Sequence, residues 1–300
     1  MVAYTFHTLD VFTAERFSGN QLAVVLAADA LTSVQMQRIA AEFAISETVF
    51  VLKPEKPTHS ARIRIFTPGR ELPFAGHPTV GAAVLLADLQ GPQMPGMQSS
   101  IVLLEEMIGS VRVGVSRKPG EAAYAEFDTP KLPEPLSGPT STERMADALG
   151  LSSSEIGFEN HRPTRYSAGV PYTFVPVRDL SAIARAKAVT PFWDAAFGPD
   201  GAYLYCRETV HTRSGFHARM FAPDLNNEDP ATGSAAAAFS AVVHRFDDIK
   251  DGERKLLIEQ GYEMGRPSEI ALELVVAGGR LRTVRIGGRA VRVMSGVIEV

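Results

Sequence analysis

Alternating apolar and polar residues open the chain and predict a sheet-forming start. Residues 4–12 alternate in a composition rich in β-formers, and residues 22–26 form an apolar run. Two more strands are predicted at 48–52 and 61–66. Between these pairs, apolar residues recur at helical spacing from Ser33 onwards, which predicts an amphipathic helix.

Two further segments predict helices that are apolar on almost every side. The first spans residues 80–89 after the helix-starting Pro78, and the second spans 233–245. A helix without a polar face is normally buried. Because predicted strands follow both helices, we expect an α+β fold in which each of these helices is buried inside a curled sheet.

Glycine and proline residues predict where the chain turns and divides. The Gly278-Gly279 and Gly287-Gly288 pairs predict hairpins. A segment rich in Pro, Ser and Gly at 129–139 is typical of a domain boundary. We therefore predict halves at 1–128 and 129–300, with the final strand open to packing against the first half.

An internal repeat relates the two halves. Residues 64–83, RIFTPGRELPFAGHPTVGAA, resemble residues 219–238, RMFAPDLNNEDPATGSAAAA. Both copies run from Arg-x-Phe-x-Pro into a Gly, Pro and Thr turn and then a small-residue helix. Aligning the turns pairs His77 with Asp229, and the two helix entrances together predict a shared binding cleft.

Composition narrows the function. A net charge of −4 with scattered Lys and Arg gives no basic surface for nucleic acid or an anionic membrane. The single cysteine, Cys206, excludes an intrachain disulfide and any mechanism that needs two thiols. No apolar run reaches the length of a membrane span, and the start of the chain lacks the features of a signal peptide, so we expect a cytoplasmic protein.

The two helix entrances are the first candidate site. Helix N-termini offer unpaired amide donors to carboxylates or phosphates, and Gly76 and Gly233 allow a ligand to approach the backbone. Ordinary capping is the structural alternative for such residues, and a single histidine such as His77 is more often structural. The repetition of the pattern favours a binding role.

Glu47 is the candidate for proton transfer. It lies between a predicted helix and an apolar strand, where partial desolvation would suit its carboxyl group to acid–base chemistry near neutral pH. A surface glutamate in a loop is the alternative. Glu105 and Glu106 are interpreted as solvated. Glu47, His77 and Asp229 lack the spacing of a metal site, and neither a phosphate loop nor a dinucleotide fingerprint is present, so no cofactor is expected.

Six motifs in order along residues 4–300 resemble the phenazine-biosynthesis PhzF-like isomerase family. They are Phe17-x-Gly-Asn20, Ser46-Glu47-Thr48, Arg64-x-Phe-x-Pro, Gly76-His77-Pro78-Thr79-Val80-Gly81, Asp229-Pro-Ala-Thr-Gly-Ser234, and Glu259-Gln-Gly261 with Gly265-Arg-Pro-Ser268. The resemblance implies a fold like that of diaminopimelate epimerase, with two similar halves, each a curved, mainly antiparallel sheet or barrel around a central helix. It also implies a homodimer and a cofactor-free isomerisation of a small carboxylate-bearing substrate.

The same resemblance assigns roles to individual residues. Glu47 matches the residue that moves the proton. Asn20, Gly76, His77, Asp229, Gly233 and Ser234 match substrate-binding positions. Gln21 departs from the proline that commonly follows Gly-Asn in the family, which leaves the substrate open. A binding protein without turnover and an epimerase that does not use thiols are the alternatives.

Overall fold

A computed structural model describes residues 2–91, 95–138, 141–222 and 228–300. They form two compact units, one of residues up to Pro130 together with Gly287–Val300 and the other of Lys131–Ile286. Both units combine sheet and helix, which confirms the predicted α+β class. The division falls within the last strand, β16 (Arg280–Glu299).

The first unit is a closed barrel. Its sheet runs in the order β1-β2-β3-β4-β6-β7-β8-β16, and β16 pairs with β1 to close it, while the short β5 pairs with β4 outside this path. The bounds are β1 (Ala3–Val11), β2 (Asn20–Val25), β3 (Glu47–Leu52), β4 (Ala61–Phe66), β5 (Glu71–Leu72), β6 (Gln98–Glu106), β7 (Gly109–Arg117) and β8 (Ala123–Asp128), with helices α1 (Ser33–Phe43) and α2 (Gly76–Leu89).

Helix α2 is the core of this barrel. Eleven of its fourteen residues are buried, and it contacts strands from β1 to β8 on several sides. A side chain on Gly81 would place its Cβ 2.5 Å from Leu22 and 2.8 Å from Val11, so glycine is needed for the helix to approach the strands this closely. The prediction of a buried helix inside a curled sheet is confirmed here.

The second unit is a long mixed sheet around another central helix. The sheet order is β16-β15-β14-β13-β12-β11-β10-β9, with parallel pairing between β11 and β12 and between β13 and β14. The bounds are β9 (Glu134–Pro135), β10 (Thr164–Ser167), β11 (Pro171–Pro176), β12 (Gly201–Cys206), β13 (Phe216–Phe221), β14 (Gly252–Gln260) and β15 (Ser268–Ala277), with helices α3 (Thr142–Leu149), α4 (Leu180–Arg185), α5 (Thr190–Ala196) and α6 (Gly233–Phe246).

Aromatic packing holds the central helix of the second unit. Phe239 of α6 contacts four rings of the surrounding strands, at centroid distances of 4.7–5.8 Å: Phe174, Tyr203, Tyr205 and Phe216. Helices α3, α4 and α5 pack over the sheet in a separate cluster with Trp193 and Phe197. Helix α5 was not predicted from the sequence.

The predicted hairpin at Gly287-Gly288 is wrong, because β16 runs straight through both residues. Neither glycine has the positive φ that a hairpin turn requires. Gly287 instead makes room for a neighbouring side chain, since a Cβ there would lie 2.3 Å from the Tyr124 hydroxyl. The hairpin predicted at Gly278-Gly279 is present between β15 and β16, and both residues have positive φ.

The internal repeat is visible as one side-chain arrangement that occurs in each unit. Arg64 forms a two-pronged hydrogen bond with Glu71 and lies over the Phe66 ring. Arg219 forms the same bond with Glu228 and lies over Phe221. In both pairs, two parallel N–H groups of the guanidinium donate to the two oxygens of one carboxylate, which is a strong and specific geometry.

The structure corrects the alignment of the two copies. Helices α2 and α6 have equal length and begin at Gly76 and Gly233, an offset of 157 residues. The equivalent carboxylates Glu71 and Glu228 share this offset. His77 is therefore equivalent to Ser234 and not to Asp229. The sequence alignment paired Pro230 of the second copy with Pro78 of the first. The structure pairs Pro230 with Pro73, which stands five residues before Pro78.

The two arginines are predicted to differ in their contribution to stability. The Arg219 side chain is 8% exposed and also donates to the carbonyl oxygens of Ile183, Ala184 and Ala186, whereas Arg64 is 24% exposed. Arg219→Met should cost about 3–5 kcal/mol of unfolding free energy, since it leaves a buried carboxylate unpaired. Arg64→Met should cost about 1 kcal/mol. Urea unfolding of both variants measures this, and equal losses would contradict burial as the deciding factor.

Candidate active site

The helices at the predicted site begin without a side-chain cap, unlike three other helices. Thr32, Ser141 and Asp179 cap α1, α3 and α4 by accepting a backbone N–H in the first turn. Helix α2 begins after Ala75, which has no acceptor, and α6 begins after Thr232, whose side chain makes no cap bond. First-turn amides of α2 and α6 are therefore available to a ligand.

In the first unit, the start of α2 brings His77 to Glu47. The Nε2 atom of His77 lies 3.3 Å from the Oε2 atom of Glu47, and their side chains are 5% and 13% exposed. Glu47 is the first residue of β3, and the parallel pairing of Leu22 with Glu47 sets it beside the start of β2. Asn20, fully buried, is the first residue of β2. The structure thus groups Asn20, Glu47, Gly76 and His77.

His77 is neutral at physiological pH. Burial lowers its pKa to about 3, against a smaller opposing effect of its hydrogen bond to the Gln21 backbone. The Nε2 atom is buried and makes no hydrogen bond, so Nδ1 donates to the Gln21 carbonyl oxygen. A neutral ring that donates from Nδ1 presents an Nε2 lone pair. The close approach to Glu47 is therefore not an ion pair.

The loop before Asn20 has a fixed and unusual backbone. The Asp10 carboxylate accepts the Phe17 N–H at 2.6 Å, and Phe17 has a positive φ of 68°. Gly19 follows with φ of 64°, where a Cβ would lie 2.4 Å from the Val11 carbonyl oxygen. Backbone conformations of this kind persist only where surrounding bonds enforce them. Asp10 therefore helps to set the position of Asn20.

In the second unit, Asp229 is held by a short network. The Thr232 hydroxyl donates to Asp229 Oδ2 at 2.5 Å. Gln260 donates to the Asp229 carbonyl oxygen at 2.7 Å and to Thr232 Oγ1 at 3.1 Å, and accepts the Thr232 N–H. Asp229 is only 8% exposed. Because Thr232 is committed to Asp229, it does not cap α6.

Ser234 is the second residue of α6 and has a tyrosine partner. Its Oγ atom lies 2.7 Å from the Tyr172 hydroxyl, and Tyr172 is 4% exposed. Gly233, which precedes it, is buried. The second unit therefore groups Asp229, Gly233 and Ser234 at the start of α6.

Sequence reasoning missed three residues that support these groups. Gln260 lies in the Glu259-Gln-Gly261 motif, but only the structure shows its bonds to Asp229 and Thr232. Tyr172 gave no signal in the sequence. Glu106 was interpreted as solvated, yet it is 9% exposed and bonded to Thr79 of α2. The period-2 pattern of β6, with Val102, Leu104 and Glu106 buried, was the available signal.

Cys206 is a core residue and not a catalytic thiol. It is fully buried in β12, and burial raises its pKa to about 12. Across residues 2–91, 95–138, 141–222 and 228–300, no cluster of three or more His, Cys, Asp and Glu side chains suits a metal ion. Within these same ranges, no helix has the length and apolar character needed to cross a bilayer.

Comparison with known proteins identifies the family. Residues 9–296 match the family model described as phenazine biosynthesis-like protein. The chain belongs to this family. An uncharacterised isomerase of Mesorhizobium japonicum is 53% identical over 96% of both chains. The trans-2,3-dihydro-3-hydroxyanthranilate isomerase of Pseudomonas chlororaphis is 33% identical over 97% of both.

A solved structure agrees with this assignment. The PhzF-family phenazine biosynthesis protein of Bacillus anthracis superposes with a TM-score of 0.89 at 25% identity, covering 100% of both chains. The resemblance inferred from the six motifs is confirmed, and so is the prediction of an isomerase.

The neutral state of His77 can be tested by NMR of histidine ring nitrogens. His77 should show a neutral, Nδ1-protonated ring with no titration between about pH 5 and 8. His217 is an internal control: burial opposes its charge, but hydrogen bonds to Glu259 and Glu263 raise its pKa to about 9, so it should stay protonated.

The lowered pKa of His77 also makes the free energy of unfolding depend on pH. Between pH 3 and 6.5 the unfolded chain binds a proton at His77 that the folded chain does not, so His77 lowers stability as the pH falls through this window. Titration of the His77 ring near its ordinary value of 6.5 would contradict the neutral assignment.

Proposed function

We propose that this protein is a cofactor-independent isomerase that moves a proton between carbons of a small carboxylate-bearing substrate, with Glu47 as the acid–base residue. One observation carries the proposal: the Glu47 carboxyl group lies 3.3 Å from a buried, neutral histidine at the uncapped start of α2. Removal of a proton from a carbon near a substrate carboxylate needs a base, here Glu47, and hydrogen-bond donors that hold the carboxylate, here the first-turn amides of α2.

Glu47 would take the proton and return it. A carbon beside an unsaturated or carbonyl group is acidic enough for a carboxylate to remove its proton, and the resulting charge spreads over the conjugated system. Reprotonation at another carbon of that system completes the isomerisation. Limited exposure of Glu47, 13%, favours return of the same proton over exchange with water.

His77 would assist without changing charge. Because its Nδ1 is committed to the Gln21 carbonyl oxygen, its Nε2 can accept a hydrogen bond from protonated Glu47 or from a substrate N–H or O–H group. A neutral ring also avoids an ion pair that would hold Glu47 permanently as a carboxylate. Its role is therefore to orient the proton on Glu47.

The remaining predicted residues would bind the polar groups of the substrate. Amides at Gly76 and His77 in α2, and at Gly233 with the Ser234 hydroxyl in α6, suit carboxylate oxygens. The Asp229 carboxylate suits an amino or hydroxyl donor, and the Asn20 amide suits either kind of group. Holding the substrate in one orientation supplies much of the rate enhancement.

The relatives guide the choice of substrate. A 33% identical relative is named for trans-2,3-dihydro-3-hydroxyanthranilate, which carries a carboxylate. A dihydro-hydroxyanthranilate-type compound is therefore the substrate we propose to try first. Gln21 takes the position of the common family proline, which leaves the substrate of this protein open. On the family resemblance and the single cysteine, we also propose a cytoplasmic homodimer.

Glu47→Gln should abolish proton transfer while keeping the fold. An amide of the same shape cannot act as a general base, so kcat should fall by roughly 10²–10⁴-fold. Proton NMR in deuterated water with trans-2,3-dihydro-3-hydroxyanthranilate measures product formation and deuterium incorporation together. Glu42→Gln is the matched control, since Glu42 is exposed on α1, and it should retain wild-type turnover.

Three results would contradict parts of this proposal. Full turnover by Glu47→Gln would remove Glu47 from the chemistry. Thermal stabilisation by the compound without turnover or deuterium incorporation would indicate a binding protein. Inversion at one carbon, with no shift between carbons, would indicate an epimerase that does not use thiols.

Ser234→Ala should weaken substrate binding. Loss of one hydrogen bond to a carboxylate is expected to raise KM about tenfold with a smaller change in kcat. Ser240→Ala is the matched control, because Ser240 lies on the same helix and donates to the Ala237 carbonyl oxygen within that helix. Steady-state kinetics distinguish the two, and an unchanged KM in Ser234→Ala would exclude Ser234 from binding.

A further inference from the structure

A buried carboxyl group lies beside helix α2 and has no part in the proposed proton transfer. Glu106 is the last residue of β6, and its Oε1 atom lies 2.9 Å from Thr79 Oγ1. Thr79 Oγ1 is also 2.8 Å from the carbonyl oxygen of Ala75, the N-cap residue of α2. The other carboxyl oxygen of Glu106, Oε2, is buried without a hydrogen bond.

The number of available protons decides the charge of Glu106. A carbonyl oxygen only accepts, and a threonine hydroxyl has one proton to donate. Threonine in a helix commonly donates to the carbonyl four residues earlier, which here is Ala75. The proton in the second contact must then come from the carboxyl group. We propose that Glu106 is a neutral carboxylic acid that donates to Thr79 and positions the first turn of α2.

An ionised Glu106 fits this geometry poorly. Thr79 would have to donate to the carboxylate, which leaves the Thr79 and Ala75 oxygens 2.8 Å apart without a proton between them. The Oε2 atom would carry negative charge while buried without a donor, which is strongly unfavourable. In agreement with this, burial raises the pKa of Glu106 to about 8, against a smaller opposing effect of the hydrogen bond with Thr79.

Among the described residues, no charged group offsets the burial of Glu106. Its partner on α2, Thr79, is uncharged, and its partner across the β6–β7 hairpin is Gly109. The adjacent Glu105 bonds elsewhere, to the backbone of Glu55 and Lys56 and to His59. Among the ion pairs of the described residues, none includes Glu106.

The same hairpin also holds the chain just before α2. The Ile108 N–H donates to the Pro73 carbonyl oxygen at 3.3 Å. The segment 73–79 is thus attached to the β6–β7 hairpin at both ends, and Gly76 and His77 lie between the attachments. Loss of the Glu106 proton would turn the Thr79 hydroxyl from the Ala75 carbonyl oxygen to the carboxylate, and so remove the bond that holds the first turn of α2. The effect on substrate rests on the proposed function, whereas the protonation state does not.

Infrared difference spectroscopy of the full chain without ligand tests the protonation state. The wild-type minus Glu106→Gln spectrum should show the carbonyl band of a protonated carboxylic acid at pH 7, and this band should disappear as the pH rises through about 8. Glu105→Gln is the matched control: the hydrogen bond from the Glu55 N–H lowers the pKa of Glu105, so its loss should leave the band unchanged.

A second measurement needs no variant. In wild-type protein with carboxyl-labelled glutamate, one ¹³C resonance should titrate near pH 8. An infrared carboxylate band for Glu106 at pH 7 would overturn the proposal. So would a ¹³C titration in which every glutamate loses its proton well below pH 7. These readouts do not involve Glu47 or turnover, so their failure is distinct from failure of the proposed function.

The positioning role has its own readout. KM should rise several-fold above about pH 8 in the wild type with kcat nearly unchanged, and Glu106→Gln, whose amide can still donate to Thr79, should lack this rise. As the pH rises from 4.5 to 8, the unfolding free energy of the wild type should also fall relative to that of Glu106→Gln. In this pH range the folded state keeps the Glu106 proton and the unfolded state loses it. Identical pH dependence in both proteins would overturn the positioning role.

Discussion

The buried start of helix α2 is the constraint on which the first unit depends. A helix whose first turn lies inside a barrel cannot rely on water to satisfy its amides. Ala75 gives no side-chain cap, and the Thr79 hydroxyl donates to the Ala75 carbonyl oxygen, so neither residue satisfies the first-turn amides that we propose bind substrate. The same burial keeps His77 neutral and directs its Nε2 atom to Glu47. Packing and chemistry therefore have one physical cause, the exclusion of water.

Duplication explains the scaffold of the two units but not their chemistry. Each unit repeats the arginine, glutamate and phenylalanine arrangement and a fourteen-residue central helix that begins at a glycine. At the equivalent second position of these helices, one copy has His77 and the other has Ser234. In the proposed mechanism, a ring nitrogen that accepts a hydrogen bond and a hydroxyl that donates one thus occupy equivalent places in the repeat. The proposed base, Glu47, lies outside both copies.

The sequence predicted the elements whose signals are local. The all-round apolar character of α2 and α6 and the helical spacing from Ser33 were enough for the fold class. Glu47, His77 and Asn20 came from motifs, and the structure brings them together at the starts of β3, α2 and β2.

Three of the failures depended on contacts distant in sequence. Gly287 was interpreted as a turn because the sequence does not show that Tyr124 will lie against it. His77 was aligned with Asp229 because two prolines compete, and only the helix starts decide between them. Glu106 was assigned to solvent because its partner, Thr79, lies 27 residues away in another element. Charge and burial of a carboxyl group are properties of the folded neighbourhood, so sequence patterns do not report them reliably.

The central claim is that one carboxyl group, Glu47, both removes and returns the proton. It is tested most directly with trans-2,3-dihydro-3-hydroxyanthranilate that carries deuterium at the carbon that loses its hydrogen, converted in ordinary water during a single turnover. Because the Glu47 side chain is only 13% exposed, we predict that part of the deuterium reappears at the carbon that gains hydrogen. Complete replacement of the label by solvent hydrogen in the wild type, together with undiminished loss of the label in Glu47→Gln, would contradict the claim, since another group would then move the proton.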